Sequence, residues 1–257
     1  MTTDPTVHIS SRDNALLKDL RRLSQDGAAY RKQGRVWLEG DHLCRAALVR
    51  GWQPEQALFS ARYWSVAPAE FTRSGGRNAV VADSLWPGIS ALESPAQMGF
   101  VMVLPATQGL DPLAPTVILD RLQDPGNVGS ILRSAGAFGF GQVIALKGTV
   151  ALWSPKVLRA GMGAHFGLRL IEGLDTEALE ALQVPMVVTS SHSGELLHRQ
   201  TLPSPCAWVL GHEGQGVSPT LAAKAQRAVR IAQPGGEESL NVAAAAAVCL
   251  HASAAQL

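Results

Sequence analysis

The residues best suited to chemistry lie in three segments, each of which follows an apolar run. In the first segment, Asn127, Gly129 and Arg133 follow the run that ends at Asp120. Asn127 is predicted to cap a helix that begins there, and Gly129 lets a ligand or a second backbone approach closely. Arg133, less than two turns further along, can reach an anion at the same end of the helix. A capped helix with an exposed arginine is the alternative interpretation.

The second segment combines three glycines with one acidic side chain. Gly211, Gly214 and Gly216 fall within six residues and predict a tight loop whose backbone approaches another group. Glu213 lies among them and can accept hydrogen bonds from a ligand or from an arginine. His212 could titrate in this loop, but we expect a histidine that faces solvent. By itself the segment is also compatible with a sharp turn that binds nothing.

The third segment leads from a predicted strand end at Ile231, through a Pro-Gly-Gly turn, into an alanine-rich helix. Either Ser239 or Asn241 can cap that helix, because both have short polar side chains that accept hydrogen bonds from its first N–H groups. The alanines permit close packing against a neighbouring helix or backbone. Helix capping alone would explain Ser239.

These segments are positioned by a predicted alternation of strands and helices. In the second part of the chain, apolar runs predict strands at 116–120, 142–146, 167–171, 186–189, 207–210 and 228–231, and helical patterns fall at 128–138, 176–182 and 241–254. Continuous apolar runs are typical of strands buried on both faces, so we expect an α/β fold with a mostly parallel sheet. In such sheets ligands bind beyond the carboxyl ends of strands, where all three segments begin.

The first part of the chain predicts a smaller α/β domain. Leucines at helical spacing predict a first helix, a second is expected to end near Arg50, and strands are predicted at 36–39, 57–60, 79–82 and 100–104. A segment rich in Pro and Gly, 106–115, is predicted to be a linker. We therefore expect domains at 1–105 and 116–257.

Charge is balanced over the whole chain but not locally. The 22 Lys and Arg residues face 21 Asp and Glu residues, so the net charge of +1 indicates no polyanionic partner by itself. Seven basic residues nevertheless cluster with only three acidic ones near the N-terminus: Arg12, Lys18, Arg21, Arg22, Arg31, Lys32 and Arg35. Tyr30 and Trp37 lie beside them and could stack on bases, so we expect an RNA-binding surface here. A solvated helix face is the alternative.

Several other classes of protein are excluded by missing signals. The three cysteines are widely spaced, without a C-x-x-C pair, so neither a disulfide framework nor a structural metal site is expected. The Rossmann fingerprint, the Walker phosphate loop, the G-x-S-x-G elbow and the H-E-x-x-H zinc motif are all missing. No signal peptide is apparent, and the longest apolar run is too short to cross a bilayer. We therefore expect a cytoplasmic protein without a membrane or metal partner.

Together, in this order and spacing, the three segments resemble the motifs of the SpoU (TrmH-like) RNA ribose methyltransferases of the SPOUT class. The matching residues are Asn127-x-Gly129-x-x-x-Arg133, Gly211-x-Glu213-x-x-Gly216 and Ser239-Leu240-Asn241-Val242. The resemblance covers about residues 117–251. More loosely, the N-terminal part is similar to the ribosomal-protein-like RNA-binding domain of the family members that act on ribosomal RNA.

This resemblance implies that S-adenosylmethionine donates a methyl group to a ribose 2′-hydroxyl in RNA, most plainly in ribosomal RNA of the 23S type. It also implies a homodimer with the site at its interface and a deep C-terminal trefoil knot, an exception to the rule that chains do not thread loops. The residues implied to hold the cofactor are Leu210, Gly211, Gly216, Ile231 and Leu240.

The resemblance further implies catalytic roles for Asn127, Arg133, Glu213, Ser239 and Asn241. In this family the arginine is the proposed activator of the 2′-hydroxyl, yet a guanidinium remains protonated in proteins. We therefore expect Arg133 to bind the adjacent phosphate and stabilise developing negative charge, with Glu213 orienting it, within one chain or across the dimer. Where members often have Asn and Ser, this chain has His212 and Ala243, which affects local contacts only.

Two alternatives remain open. One is a 2′-O-methyltransferase acting on transfer RNA, although such members usually carry short extensions in place of an N-terminal domain. The other is a non-catalytic RNA-binding or ribosome-assembly protein that retains the fold, against which the complete set of motif residues argues.

Overall fold

The computed structural model of the chain describes residues 6–106, 108–190, 194–235 and 239–256. The chain divides into two compact units. The first consists of Met1–Ala106 and Trp153–Phe166, and the second of Thr107–Leu152 and Gly167–Leu257.

Strands and helices are numbered in chain order over the described residues. The strands are β1 (Val7–Ile9), β2 (Arg35–Glu39), β3 (Gln56–Ser60), β4 (Arg77–Val81), β5 (Met98–Val103), β6 (Thr116–Asp120), β7 (Gln142–Leu146), β8 (Arg169–Leu174), β9 (Met186–Thr189), β10 (Glu195–Leu196), β11 (Ala207–Gly211) and β12 (Arg227–Arg230). The α-helices are α1 (Ala15–Gln25), α2 (Ala29–Gln33), α3 (Asp41–Val49), α4 (Ala61–Trp64), α5 (Ala69–Thr72), α6 (Pro125–Ala137), α7 (Pro155–Gly161), α8 (Pro219–Lys224) and α9 (Val242–Ala254). Short 3₁₀ helices lie at Trp86–Ile89, Ala164–Gly167, Thr176–Ala181 and Leu197–Arg199.

The first unit contains a five-stranded sheet in the order β1-β4-β3-β5-β2. β1, β4 and β3 are parallel, whereas β5 runs antiparallel to both β3 and β2. Helix α1 begins because the side chain of Asn14 accepts a hydrogen bond from the Leu16 N–H at 2.9 Å. It buries Leu17, Leu20 and Leu23, as their helical spacing predicts.

One segment of the first unit differs from the prediction. Trp153–Phe166 lies in this unit, although the predicted boundaries include it in 116–257. The ring of Trp52 lies 5.9 Å from that of Trp153 and 5.3 Å from that of Phe166, and its indole N–H donates to the Phe166 carbonyl at 3.1 Å. Aromatic contacts between residues about a hundred positions apart leave no local pattern in the sequence.

The second unit contains a seven-stranded sheet in the order β10-β12-β9-β11-β6-β7-β8. All its neighbouring strands are parallel within the described residues, so the predicted α/β fold with a mostly parallel sheet is confirmed. Every residue of β6, β7 and β11 is buried, as expected for strands covered on both faces. The segments that follow β6, β11 and β12 therefore emerge at the same edge of the sheet.

Two helices lead from this edge. The predicted cap at Asn127 is wrong, because the cap of α6 is Asp124, three residues earlier. The Asp124 carboxylate accepts from the Asn127 N–H at 2.7 Å, and Pro125 occupies the first turn. For α9 the cap is Asn241 rather than Ser239, because Asn241 Oδ1 accepts from the N–H groups of Ala243 and Ala244. The side chain of Asn127 therefore does not cap α6.

Helix α9 is held to the sheet through its far end. Its Ser253 hydroxyl accepts a hydrogen bond from the buried indole N–H of Trp208, in β11, at 2.9 Å. Near the same end, the ring of His251 packs edge-on against that of Phe138, 5.5 Å away at the end of α6. The start of α9 is thereby fixed beside the ends of the parallel strands.

Candidate active site

A pocket of about 1150 Å³ opens at the carboxyl ends of β9, β11 and β12. Its walls are formed by residues 188–190, 211–217, 231, 233 and 239–242, together with Ala222, Ala228 and Ala245. Seven of the predicted site residues line it: Gly211, Glu213, Gly216, Ile231, Ser239, Leu240 and Asn241. Leu210 lies one residue outside, buried in β11, and Asn127 and Arg133 are not part of the wall.

Glu213 links the second segment to the first. Its Oε2 accepts a hydrogen bond from the Gln123 N–H at 3.2 Å, and its Oε1 accepts from the Asp124 N–H at 3.1 Å. Oε1 also accepts from the side-chain amide of Asn127 at 3.3 Å. The carboxylate therefore holds the start of α6 by two backbone donors and one side chain.

These donors also determine the charge state of Glu213. Partial burial by itself raises the pKa of the carboxyl, but the backbone N–H groups around it and the amide of Asn127 outweigh that effect and lower the pKa below its ordinary value. Glu213 is consequently an anion at neutral pH.

Asn127 links the first segment to the third. Its Oδ1 accepts a hydrogen bond from the side-chain amide of Asn241 at 2.9 Å, while its own amide donates to Glu213. Since Asn241 also caps α9, a continuous chain of side-chain hydrogen bonds joins the loop after β11, the start of α6 and the start of α9. We call Glu213, Asn127 and Asn241 the polar triad.

The last residue of β11, Gly211, lies where only glycine fits against the loop that follows. A Cβ on Gly211 would lie 2.1 Å from the carbonyl carbon of Gly216 and from the nitrogen of Val217, far inside contact distance. Gly216 itself has a φ of 69°, in the left-handed region. The expected close approach of backbone is thus an approach of the loop to itself.

His212 closes this loop, which the sequence does not predict. Its carbonyl accepts from the Gly216 N–H at 2.8 Å, and its Nδ1 accepts from the Gly214 N–H at 3.0 Å. The residue is half-buried and lines the pocket, so it faces solvent in part, as expected, and also belongs to the pocket wall. Because Nδ1 accepts, a neutral His212 carries its proton on Nε2.

A second connection that the sequence does not predict starts at the end of β6. The buried carboxylate of Asp120 accepts from the Ser218 N–H at 2.7 Å and from Arg121 Nε at 2.9 Å. Arg121, with a φ of 61°, also donates to Gln215 Oε1 at 3.0 Å. In the sequence, these contacts between the end of β6 and the loop after β11 are indicated only by an acidic residue at the end of an apolar run.

Arg133 is exposed on α6, and no described residue forms a hydrogen bond or an ion pair with it. The exposed residues on the same helix face are Gly126, Ser130, Gly136 and Ala137, all of them small. Within one chain the structure therefore does not bring Arg133 into contact with Glu213. Its guanidinium is available to a group that approaches this face from outside.

The predicted basic cluster lies on the surface of the first unit. All seven side chains are exposed or half-buried. Lys18 pairs with Asp13 at 3.2 Å and Arg35 with Glu55 at 2.7 Å, both as solvent-accessible ion pairs that contribute little stability. Neither pair prevents these cations from binding phosphate.

The aromatic residues beside the cluster do not face solvent. Tyr30 and Trp37 are each only 5% exposed, so the prediction that they stack on bases is wrong. Trp37 packs edge-on against Trp86, with ring centroids 6.4 Å apart, and the Tyr30 hydroxyl accepts from Arg31 Nε at 3.2 Å. Both rings belong to the core of the first unit.

The described residues also bear on whether the protein could hold a metal ion or span a membrane. They contain no group of three or more His, Cys, Asp or Glu side chains that could hold a metal ion. Among them, no helix combines the length and the apolar character needed to cross a membrane.

Comparisons with known proteins agree with the motif pattern. The SpoU rRNA Methylase family matches residues 114–251. The uncharacterized tRNA/rRNA methyltransferase slr1673 of Synechocystis sp. is 31% identical, over 97% of this chain and 94% of that protein. The 23S rRNA (guanosine(2553)-2′-O)-methyltransferase RlmP of Bacillus subtilis is 27% identical, over 95% of this chain and 97% of that protein.

The fold has a close counterpart among solved structures. The crystal structure of an AdoMet-bound rRNA methyltransferase from Sinorhizobium meliloti superposes with a TM-score of 0.83 at 25% identity, covering 98% of both chains. The resemblance stated from the motifs is confirmed by the family match and by these full-length similarities. The chain belongs to the SpoU rRNA methylase family.

Proposed function

We propose that this protein transfers a methyl group from S-adenosylmethionine to a ribose 2′-hydroxyl in ribosomal RNA. The observation that carries the proposal is the polar triad, which joins one residue from each of the three motif segments at the edge of the pocket. The names of the Bacillus subtilis relative and of the Sinorhizobium meliloti structure support the substrate and the cofactor.

The pocket fits S-adenosylmethionine. Its volume of about 1150 Å³ slightly exceeds that of typical ligand clefts, which measure about 300–1,000 Å³, so the cofactor has enough room. Gly211 and Gly216 offer backbone groups, Ile231 and Leu240 offer apolar surface, and we assign all four, with the backbone of Leu210, to the cofactor. When bound, S-adenosylmethionine supplies an electrophilic methyl group on its sulfonium sulfur.

Arg133 and Glu213 have different roles in this proposal. Arg133 binds the phosphate next to the target ribose and stabilises negative charge that develops on the 2′-oxygen, since a guanidinium cannot act as a base. Glu213 is not the base either, because three N–H donors occupy its oxygens and lower its pKa. It acts as a positioning residue, and the proton acceptor is a group other than these two.

The remaining residues position the ribose. Asn127 and Asn241 are fixed by the hydrogen bond between their side chains, within the polar triad. Ser239 lines the pocket two residues before the cap of α9. Correct alignment of an attacking oxygen can supply a large part of the rate of a displacement. We therefore assign Ser239 and the two asparagines to orientation of the substrate.

We also propose a homodimer and the C-terminal trefoil knot that the family resemblance implies. The exposed position of Arg133, outside its own pocket and flanked by small residues, supports a site that a partner chain completes. The insertion of β11 between β6 and β9, with the return of α9 to pack on α6, supports the knot.

The first unit is proposed to bind the RNA substrate. The support is the exposed basic cluster and the full-length match to the relatives, which extends over this unit as well as the second. Transfer RNA remains the alternative substrate, because the name of the Synechocystis relative includes both transfer RNA and ribosomal RNA. Action in the cytoplasm remains a prediction.

Methylation of purified RNA tests the proposal. The protein is incubated with radiolabelled S-adenosylmethionine and, separately, 23S, 16S and transfer RNA, and the modified nucleotide is mapped. We expect 2′-O-methylation of ribosomal RNA. Labelling of transfer RNA alone would favour the first alternative. A protein that neither methylates RNA nor binds the cofactor at millimolar concentration would be a non-catalytic RNA-binding protein.

The role of Arg133 is tested in the same assay. Arg133→Ala should reduce kcat about 100-fold or more, as for removal of one donor that stabilises an oxyanion. Arg73→Ala, which removes an equally exposed arginine from the first unit, is the control and should retain most of the activity. Unchanged methylation by Arg133→Ala would contradict the catalytic assignment.

A further inference from the structure

We infer that the side-chain oxygen of Gln233 accepts a hydrogen bond from the nucleoside half of S-adenosylmethionine, an inference that rests on the proposed function. Gln233 lies two residues after Ile231 and lines the pocket. Its Oε1 is buried and has no hydrogen-bond partner within the described part of the chain. Burying an amide oxygen without a hydrogen-bond donor costs free energy. A bound ligand that supplies a donor would recover that free energy.

Other glutamines of the second unit show what a structural role looks like in this fold. Gln226 Oε1 accepts from the Met186 N–H at 2.6 Å, and its amide donates to the Lys224 carbonyl at 3.1 Å. Gln142 Oε1 likewise accepts from the Asp111 N–H at 2.8 Å. Gln233 differs from both because its oxygen lacks a donor among the described residues and because the residue lines the pocket.

The wall beside Gln233 indicates which half of the cofactor binds there. Ala228 and Val188 are paired in register at the ends of β12 and β9, and both line the pocket together with Ile231. This apolar surface suits a planar purine, whereas the ammonium and carboxylate of the methionine half would be desolvated against it. The nucleoside half also carries the amine and hydroxyl donors that an amide oxygen can accept.

The test compares two ligands by calorimetry. 5′-Methylthioadenosine contains the nucleoside half without the amino acid, and S-adenosylhomocysteine contains both. Gln233→Met keeps the length of the side chain but removes the amide oxygen. We expect the Kd of both ligands to rise by the same factor, about three- to tenfold, as for the loss of one hydrogen bond.

Thermal unfolding without ligand separates binding from a structural role. Gln233→Met should melt at the wild-type temperature or above it, because the substitution removes no hydrogen bond to the described residues. The matched control, Gln226→Met, should lower the melting temperature and leave the Kd of 5′-methylthioadenosine unchanged, since Gln226 is bonded to backbone outside the pocket.

Three results would overturn the inference: wild-type affinity of Gln233→Met for both ligands, a loss confined to S-adenosylhomocysteine, or a melting temperature clearly below that of the wild type. Failure of the wild-type protein to bind either ligand would instead refute the proposed function, and with it the inference. The two failures are therefore distinguishable.

Discussion

Replacing Glu213 by Gln should loosen the start of α6 without unfolding the protein. The glutamine Oε1 can still accept from the Asp124 N–H and from Asn127, as the carboxylate oxygen does. The new NH₂ group, however, replaces the oxygen that accepts from the Gln123 N–H and places a donor against a donor. One backbone N–H thereby loses its partner, and the triad loses its charge.

The size of the effect follows from the bond that is lost. A hydrogen bond to a charged group contributes about 1.5–3 kcal/mol, and the exposure of Glu213 reduces this, so we expect about 1 kcal/mol. At 1.4 kcal/mol per factor of ten, amide hydrogen exchange at residues 123 and 124 should accelerate about fivefold. Exchange is the appropriate measurement because a chain with two units need not unfold in one step.

The pH dependence has a definite sign. Because the folded-state pKa of Glu213 is lowered, its stabilising effect is complete above the ordinary glutamate pKa of about 4.3 and is lost as the pH falls through the lower folded-state value. The difference between wild type and Glu213→Gln should therefore be the same at pH 7 and at pH 5.5.

The control is Glu180→Gln, which removes a carboxylate from an exposed ion pair with Lys224 and should leave exchange at residues 123 and 124 unchanged. Equal exchange rates in wild type and Glu213→Gln would refute the reasoning, as would a difference that disappears between pH 7 and pH 5.5. Either result would mean that Glu213 does not hold the start of α6.

Two further predictions concern the loop and the thiols. Gly211→Ala should weaken binding of S-adenosylhomocysteine by more than tenfold in calorimetry, because the new Cβ would overlap the backbone of the loop after β11. Gly235→Ala, whose new Cβ would have no atom of the described residues within 4 Å, should bind as the wild type, and equal affinities of the two variants would contradict this prediction. Burial raises the pKa of Cys206 to about 11 and of Cys249 to about 12, and raises that of Cys44 well above its ordinary value. A disulfide reagent at pH 8 should therefore label none of the three thiols until denaturant is added, and rapid labelling of the native protein would contradict this prediction.

Much of the fold could be predicted from local patterns. Strands β6, β7 and β9 have the predicted ends, because short apolar runs of four or five residues are typical of strands buried on both faces. Strands β1 and β10 could not be predicted in this way, since they contain only three and two residues. Their pairing, and not their composition, makes them strands.

The starts of three helices share one sequence pattern. Helices α6, α7 and α8 each begin with a proline that follows Asp124, Ser154 or Ser218. A short polar residue before proline combines an N-cap with the preferred residue of the first turn. This signal would have placed the cap of α6 at Asp124 and left the side chain of Asn127 free for the triad.

The contacts of the site are less predictable than its residues. Seven predicted residues line the pocket, yet the partners of Glu213 include two backbone N–H groups, which have no signature in the sequence. The burial of Tyr30 and Trp37 could not be predicted either, because an aromatic residue beside basic ones is compatible with both a core and a surface position. Such contacts depend on which elements the fold brings together.

The position of β11 has a consequence for biosynthesis. In the sheet this strand lies between β6 and β9, although both precede it in the chain. Until residue 207 has left the ribosome, β6 and β9 each have an edge without its native neighbour, a state that invites pairing with other chains. The pocket needs still later residues, from 211 to 245. The nascent protein therefore acquires this pocket only after residue 245 has left the ribosome, so that cofactor binding would report a folded second unit.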